Sequence, residues 1–195
     1  MSDQEKEISP LQHLYEAWSP GDVLFYGPSA RSLNCYGDIN RQSSLVLISQ
    51  ILELETRGED PITLYLNTDG GVLADALAIY DTLRSIRSPI VTIATGVCAS
   101  AGLLLLSSGD LRLTYPNTIF FYHQPIFPGQ EVHSSEQIKS TADMYELAKT
   151  KYDGIISRRC NMPPEQWNEE FYNRTTKYFT AQEAKRYNMV DGIIP

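Results

Sequence analysis

At 195 residues and 22.0 kDa the chain is long enough to bury a sizeable core and falls within the ordinary size of one domain. Hydrophobic residues at 42% and charged residues at 21% describe a globular rather than a disordered protein. A formal net charge of −8 argues against a nucleic-acid backbone binder, because no basic stripe is available to displace counterions.

The first residues, Met1-Ser2-Asp3-Gln4-Glu5-Lys6-Glu7, are polar and acidic, unlike a signal or transit peptide. A cytoplasmic protein, or one of an organelle stroma or matrix, is therefore expected, and not a secreted one. A helix over residues 11–18 ends at Ser19-Pro20-Gly21, and Val23-Leu24-Phe25-Tyr26 reads as a short strand stopped by Gly27-Pro28. Residues 39–56 carry Leu45, Leu47, Ile48, Ile51, Leu52 and Leu54 at helical spacing, and Arg57-Gly58 ends that helix. The strand Ile62-Thr63-Leu64-Tyr65-Leu66 runs into Asn67-Thr68-Asp69-Gly70-Gly71. The next helix places Leu73, Ala76, Leu77, Tyr80, Leu83 and Ile86 on one face and closes at Ser88-Pro89.

The pattern then repeats. Ile90-Val91-Thr92-Ile93-Ala94 is a strand, Thr95-Gly96-Val97-Cys98 a turn, and residues 99–106 a small apolar helix too short to cross a bilayer. Short strands are expected over 111–114 and 119–122. A long helix starts at Ser134, where Ser134 and Gln137 fit a capping box, and runs to Arg159 with Ile138, Ala142, Tyr145, Ala148, Tyr152 and Ile155 as its apolar positions. Thr180 and Glu183 repeat the capping pattern at the last helix. Strand–turn–helix alternation predicts an α/β domain with parallel pairing, and in such folds chemistry collects at the carboxyl ends of strands. The whole of 1–195 is read as a single domain, with residues 1–20 as a polar leader and short helix.

Three spots fall where that rule wants them. Gly70-Gly71, between a strand and a helix, lets the backbone approach a ligand and aim an N–H at it, or simply makes a tight turn. Ser100, among small residues after a strand, suits a nucleophile with the next backbone N–H available for an oxyanion, or a helix cap. His123, at a strand end before Gln124-Pro125, suits a general base or a packed histidine. Cys35, Cys98 and Cys160 are odd in number and widely spaced, so neither a disulfide framework nor a zinc knuckle is indicated. His13, His123 and His133 are scattered with no HExxH pair, and no GxxxxGKS/T loop occurs. No metal or other cofactor is expected.

Together, Asn67-Thr68-Asp69-Gly70-Gly71, the segment 96–102 around Ala99-Ser100, and His123-Gln124-Pro125 resemble the Clp protease proteolytic subunit (ClpP) family in order and spacing. Ala78-Ile79-Tyr80-Asp81-Thr82-Leu83, Phe179-Thr180-Ala181-Gln182-Glu183-Ala184 and Met189-Val190-Asp191 extend the likeness from Val23 to the C-terminus. The resemblance implies a ClpP/crotonase-like fold of stacked βα units with a protruding handle helix in the region 130–160. It implies a serine endopeptidase: Ser100 as nucleophile, His123 as general base, and the N–H groups of Gly71 and Ala101 as the oxyanion hole. It implies a peptide or unfolded-protein substrate bound as an added strand, and a homo-oligomer of heptameric rings, two of them stacked through the handle.

Two departures accompany it. Thr176 stands where the family places its third triad residue, an Asp, and brings no charge to the imidazolium, which implies reduced activity. Asn173, Asp153 and Glu170 are the substitutes the sequence offers. The family also docks AAA+ unfoldases in aromatic pockets. Here Tyr65 is retained, but Thr63 and Ser85 stand where an aromatic is common and Ile126-Phe127-Pro128 replaces a glycine pair, and these replacements stand against that docking. The alternatives are a catalytically weak or inactive ring subunit and, opposed by the serine and His-Gln-Pro pair, a crotonase-type acyl-CoA enzyme.

Overall fold

The computed structural model describes residues 31–125, 134–174 and 176–195. The helix expected over 11–18, the strand over 23–26, the segment 126–133 and Thr175 lie outside the described residues. Strand β1 (Ser32–Ile39) opens the described chain, followed by α1 (Arg41–Thr56), β2 (Ile62–Gly71), α2 (Leu73–Ser85), β3 (Ile90–Ala99) and α3 (Ala101–Leu106). Then come β4 (Leu111–Thr114), β5 (Ile119–His123), the long α4 (Ser135–Arg159), α5 (Pro164–Trp167), a π-helical turn (Asn168–Tyr172), β6 (Thr176–Thr180), α6 (Ala181–Arg186) and β7 (Gly192–Ile193).

The strands lie in the order β1-β2-β3-β4-β7, all parallel, with β5 pairing β3 in parallel and β6 antiparallel to β5. Period-2 alternation decides which face each side chain meets. Ile62, Leu64 and Leu66 of β2 enter the large core under the helices, whereas Val91 and Ile93 of β3 join Leu111 and Leu113 in a small cluster, with Tyr65 and Ile194 against it. All six apolar positions expected on α2 pack on the large core.

Several boundaries differ from expectation. The stretch 95–98 is strand, not turn, because β3 continues to Ala99 by changing partners: Val91–Ala94 pairs with β4, and Val97–Ala99 pairs with β5. The Asn67 side chain steadies this change, its Oδ1 accepting from the Val97 N–H at 3.0 Å. Consequently the small apolar helix starts at Ala101 rather than at residue 99. Helix α1 starts at Arg41 rather than 39, since the Asn40 carboxamide caps it by accepting from the N–H groups of Gln42 and Ser43. Strands β1 and β6 were not foreseen; Gly37 at φ 82° and a bulge between Tyr36 and Asp38 break the alternation of β1.

Helix α4 behaves as two segments. Its first half is largely exposed, with Ile138 at 60% and Leu147 at 59%, and its burial begins at Lys149, Tyr152, Asp153 and Ile156. Twenty-five residues at about 1.5 Å each make it roughly 38 Å long, so the first half extends away from the core. At its start Ser134 Oγ accepts from the Gln137 N–H, the N-cap half of the box expected there, and Thr180 and Glu183 form the full reciprocal box at α6. Near the C-terminus, the Arg112 guanidinium binds Asp191 bidentately and donates to the Arg159 carbonyl at 2.8 Å, tying β4 to the tail and to the end of α4.

Candidate active site

Ser100 stands between β3 and α3 at φ 53°, ψ −124°, a conformation that costs a non-glycine residue about 1–3 kcal/mol. Three hydrogen bonds hold it there. Its N–H donates to the Phe121 carbonyl at 2.8 Å, and its carbonyl accepts from the Leu103 N–H at 3.0 Å and from the Tyr152 hydroxyl at 2.8 Å. The turn joins a strand to a helix, and Ser100 is half-buried in it.

Of the two glycines of β2, Gly70 abuts this turn and Gly71 abuts β1. Gly70 lies at φ 98°, and a Cβ on it would sit 2.6 Å from Ser100 Cβ and 2.9 Å from the Ala101 nitrogen. Gly71, at φ 146°, presses on β1 so closely that a Cβ would sit 2.1 Å from the Ile39 carbonyl oxygen. The glycine pair is therefore a requirement of close backbone approach, Gly70 to the first amide of α3 and Gly71 to β1. Ala101 heads that helix, where N–H groups have no intrahelical partner.

His123 ends β5. Because Ala99 pairs with Phe121, Ser100 and His123 lie at adjoining strand ends. The imidazole Nδ1 is 2.7 Å from the carbonyl oxygen of Gln124, and the ring stacks on Phe121, which itself stacks on Tyr178. The Gln124 side chain is in turn anchored: its Nε2 donates to the Tyr172 carbonyl at 2.8 Å, and its Oε1 accepts from the Tyr145 hydroxyl at 3.3 Å. Thr176 lies directly opposite His123 across the antiparallel pair, and it is exposed. Among the described residues, no hydrogen bond joins Ser100 Oγ to His123 or the Thr176 hydroxyl to the imidazole.

The other acids are engaged elsewhere. Asp153 is buried and accepts from Tyr122 at 2.7 Å and from Lys149. Glu170 accepts from Lys177 and from the Tyr187 hydroxyl at 3.0 Å, and these bonds hold its carboxyl below the usual range. Burial pushes the Tyr122 and Tyr152 hydroxyls well up, with Asp153 adding to it, so both remain protonated donors. It also pushes the Cys35 thiol up to about 11 and Cys160 to about 12, and raises Cys98 further, so the thiolate form a cysteine nucleophile needs is disfavoured at all three. No group of three His, Cys, Asp or Glu side chains suited to a metal occurs among the described residues.

Sequence reasoning missed two contacts, the Gln124 carbonyl on His123 and the Tyr152 hydroxyl on Ser100. A main-chain acceptor has no side-chain signature, and Tyr152 reads simply as one apolar position of a helix.

A family model described as Clp protease matches residues 26–195. The chain belongs to the Clp protease family. Its fold is similar to that of an Asn-to-Asp point mutant of ClpP1 from Listeria monocytogenes, with a TM-score of 0.76 and 26% identity, over 84% of this chain and 91% of that one. Family and fold together support a ClpP-like peptidase, and members of the Clp protease family generally form oligomeric rings.

Proposed function

We propose that this chain is a serine endopeptidase subunit in which Ser100 is the nucleophile and His123 the general base, acting slowly on peptides inside an oligomeric chamber. The observation that carries the reading is the Ser100 turn, held in a disfavoured conformation by the Phe121 carbonyl at the strand whose end is His123. In this reading Ser100 Oγ attacks the scissile carbonyl while His123 Nε2 takes its proton. The N–H groups of Gly71 and Ala101 receive the oxyanion, each such donor contributing about 10²–10³ in rate. Collapse of the tetrahedral intermediate passes the proton to the leaving amine, and water repeats the sequence on the acyl-enzyme.

The Gln124 carbonyl takes the role of orienting acceptor. It binds Nδ1–H, which leaves Nε2 as the basic nitrogen, yet it carries no formal charge to stabilise the imidazolium. That is the physical reason for slow turnover. The exposed Ile138, Met144 and Leu147 on the first half of α4 support stacking of two heptameric rings through that helix.

The test is cleavage of short fluorogenic peptides by the assembled protein, with Ser100→Ala and His123→Ala each expected to abolish it. Cleavage surviving Ser100→Ala overturns the assignment. The absence of a Ser100–His123 hydrogen bond, together with Thr176, favours a second reading as an inactive ring subunit, and wild-type protein that assembles without cleaving selects it. Under the peptidase reading, docking of an AAA+ unfoldase, which Thr63 and Ser85 stand against, is tested by whether one stimulates breakdown of a folded substrate.

A further inference from the structure

The last turns of α4 reach under both halves of the site with a buried polar set that the peptidase reading does not use. Tyr152, 2% exposed, donates to the Ser100 carbonyl at 2.8 Å. One residue on, Asp153 accepts from the hydroxyl of Tyr122, the residue before His123, at 2.7 Å, and pairs with Lys149 one helical turn earlier. The Lys149 ammonium also lies 3.3 Å from the centre of the Tyr172 ring. A buried charge pair with a hydroxyl on one carboxylate oxygen and an ammonium on the other is well satisfied, and it fixes the helical turn that carries Tyr152 against β5.

The consequence follows from the planarity of the peptide bond. The Ser100 carbonyl and the Ala101 N–H belong to one rigid unit and point in opposite directions. Whatever fixes the carbonyl therefore aims the N–H. A hydroxyl donating to that carbonyl also polarises the same unit and strengthens the N–H as a donor. We propose that Tyr152 is a positioning residue for catalysis, aiming the Ala101 N–H at the oxyanion by holding the Ser100 carbonyl from behind. The Lys149–Asp153–Tyr122 set keeps Tyr152 in place. This inference rests on the serine-peptidase reading, and it adds a residue outside the nucleophile, base and oxyanion donors.

Tyr152→Phe keeps the ring and its packing and removes only the donor. The matched control is Ser108→Ala, which deletes a buried hydroxyl bonded to the Leu105 carbonyl at the other end of α3. Tyr152→Phe is expected to lower kcat about tenfold, less than outright loss of an oxyanion donor, with KM within twofold of wild type. Affinity for a peptide boronate, which places an oxygen where the oxyanion forms, is expected to fall by the same factor. Ser108→Ala is expected to change neither. Unchanged kcat in Tyr152→Phe, an effect confined to KM, or an equal loss in Ser108→Ala overturns the proposal.

If wild-type protein neither cleaves peptides nor binds the boronate, the peptidase reading fails, and hydrogen exchange decides the Tyr152 contact independently. The amides of Ala101, Gly102 and Leu103 exchange faster in Tyr152→Phe than in Ser108→Ala if Tyr152 holds this turn. Equal rates overturn it.

Discussion

Replacing Thr176 by Asp puts a carboxylate directly across the β5–β6 pair from His123. Side chains at directly opposed positions have Cβ atoms about 4.5–5.5 Å apart, so a carboxylate oxygen comes within about 4 Å of the imidazole. Thr176 is exposed, so an effective dielectric of roughly 40–80 applies, and Coulomb's law gives about 1–2 kcal/mol of imidazolium stabilisation. That corresponds to about 5–30-fold in kcat/KM. The gain is far smaller than the ~10⁴-fold associated with a buried triad carboxylate, both because water screens the new charge and because Nδ1 already has the Gln124 carbonyl as acceptor. Initial rates on a fluorogenic peptide at neutral pH measure the effect. A Thr176→Asp variant with unchanged rate refutes the reasoning that a charge at this position would help the proposed base.

Gly70→Ala forces a Cβ to 2.6 Å from Ser100 Cβ at a backbone φ of 98°, so kcat/KM is expected to fall at least 10²-fold, with about 2–4 kcal/mol lost on denaturant unfolding. Lys149→Met leaves the buried Asp153 with only Tyr122 and is expected to destabilise by about 3–5 kcal/mol at neutral pH; the double replacement with Asp153→Leu recovers only part of it, because the buried Tyr122 hydroxyl then loses its acceptor. Glu55 accepts hydrogen bonds from the hydroxyl and N–H of Ser88 and from Arg87, and these lower its carboxyl from 4.5 to about 2. A depressed carboxylate stabilises the fold above its unfolded pKa and loses that contribution as pH falls toward the folded one. Wild type is therefore expected to exceed Glu55→Gln by about 1–3 kcal/mol at pH 7, with the gap closing between pH 5 and 2 in urea titrations.

What was legible in the sequence was what depends on local periodicity and punctuation. Helix α2 carried its core face in plain view, and the caps at Ser134 and Thr180 marked where their helices begin. Strand β1 was not legible, because a positive-φ glycine and a bulge interrupt its alternation, nor was β6, whose Thr176, Tyr178 and Thr180 face solvent. The extension of β3 through Gly96 depends on a change of strand partner, which is tertiary information. Helix α4 misled in a different way: apolar Ile138 and Ala142 are exposed, while Lys149 and Asp153 are buried, because the helix leaves the core halfway along.

The same division holds at the site. Side-chain chemistry at strand ends pointed to Ser100 and His123, and the glycine pair to a close backbone approach that the structure contains. The acceptor on His123 and the donor on Ser100 involve main-chain carbonyls, one of them reached from a helix more than fifty residues away, and neither contact leaves a motif.

The most direct test is covalent labelling with a fluorophosphonate, located by peptide mass spectrometry and followed over time. A single adduct on Ser100, forming at least 10²-fold more slowly in His123→Ala and absent from unfolded protein, is the predicted result. A wild-type Ser100 that stays unmodified, or that reacts equally fast without the imidazole, contradicts the pairing on which the proposed mechanism depends.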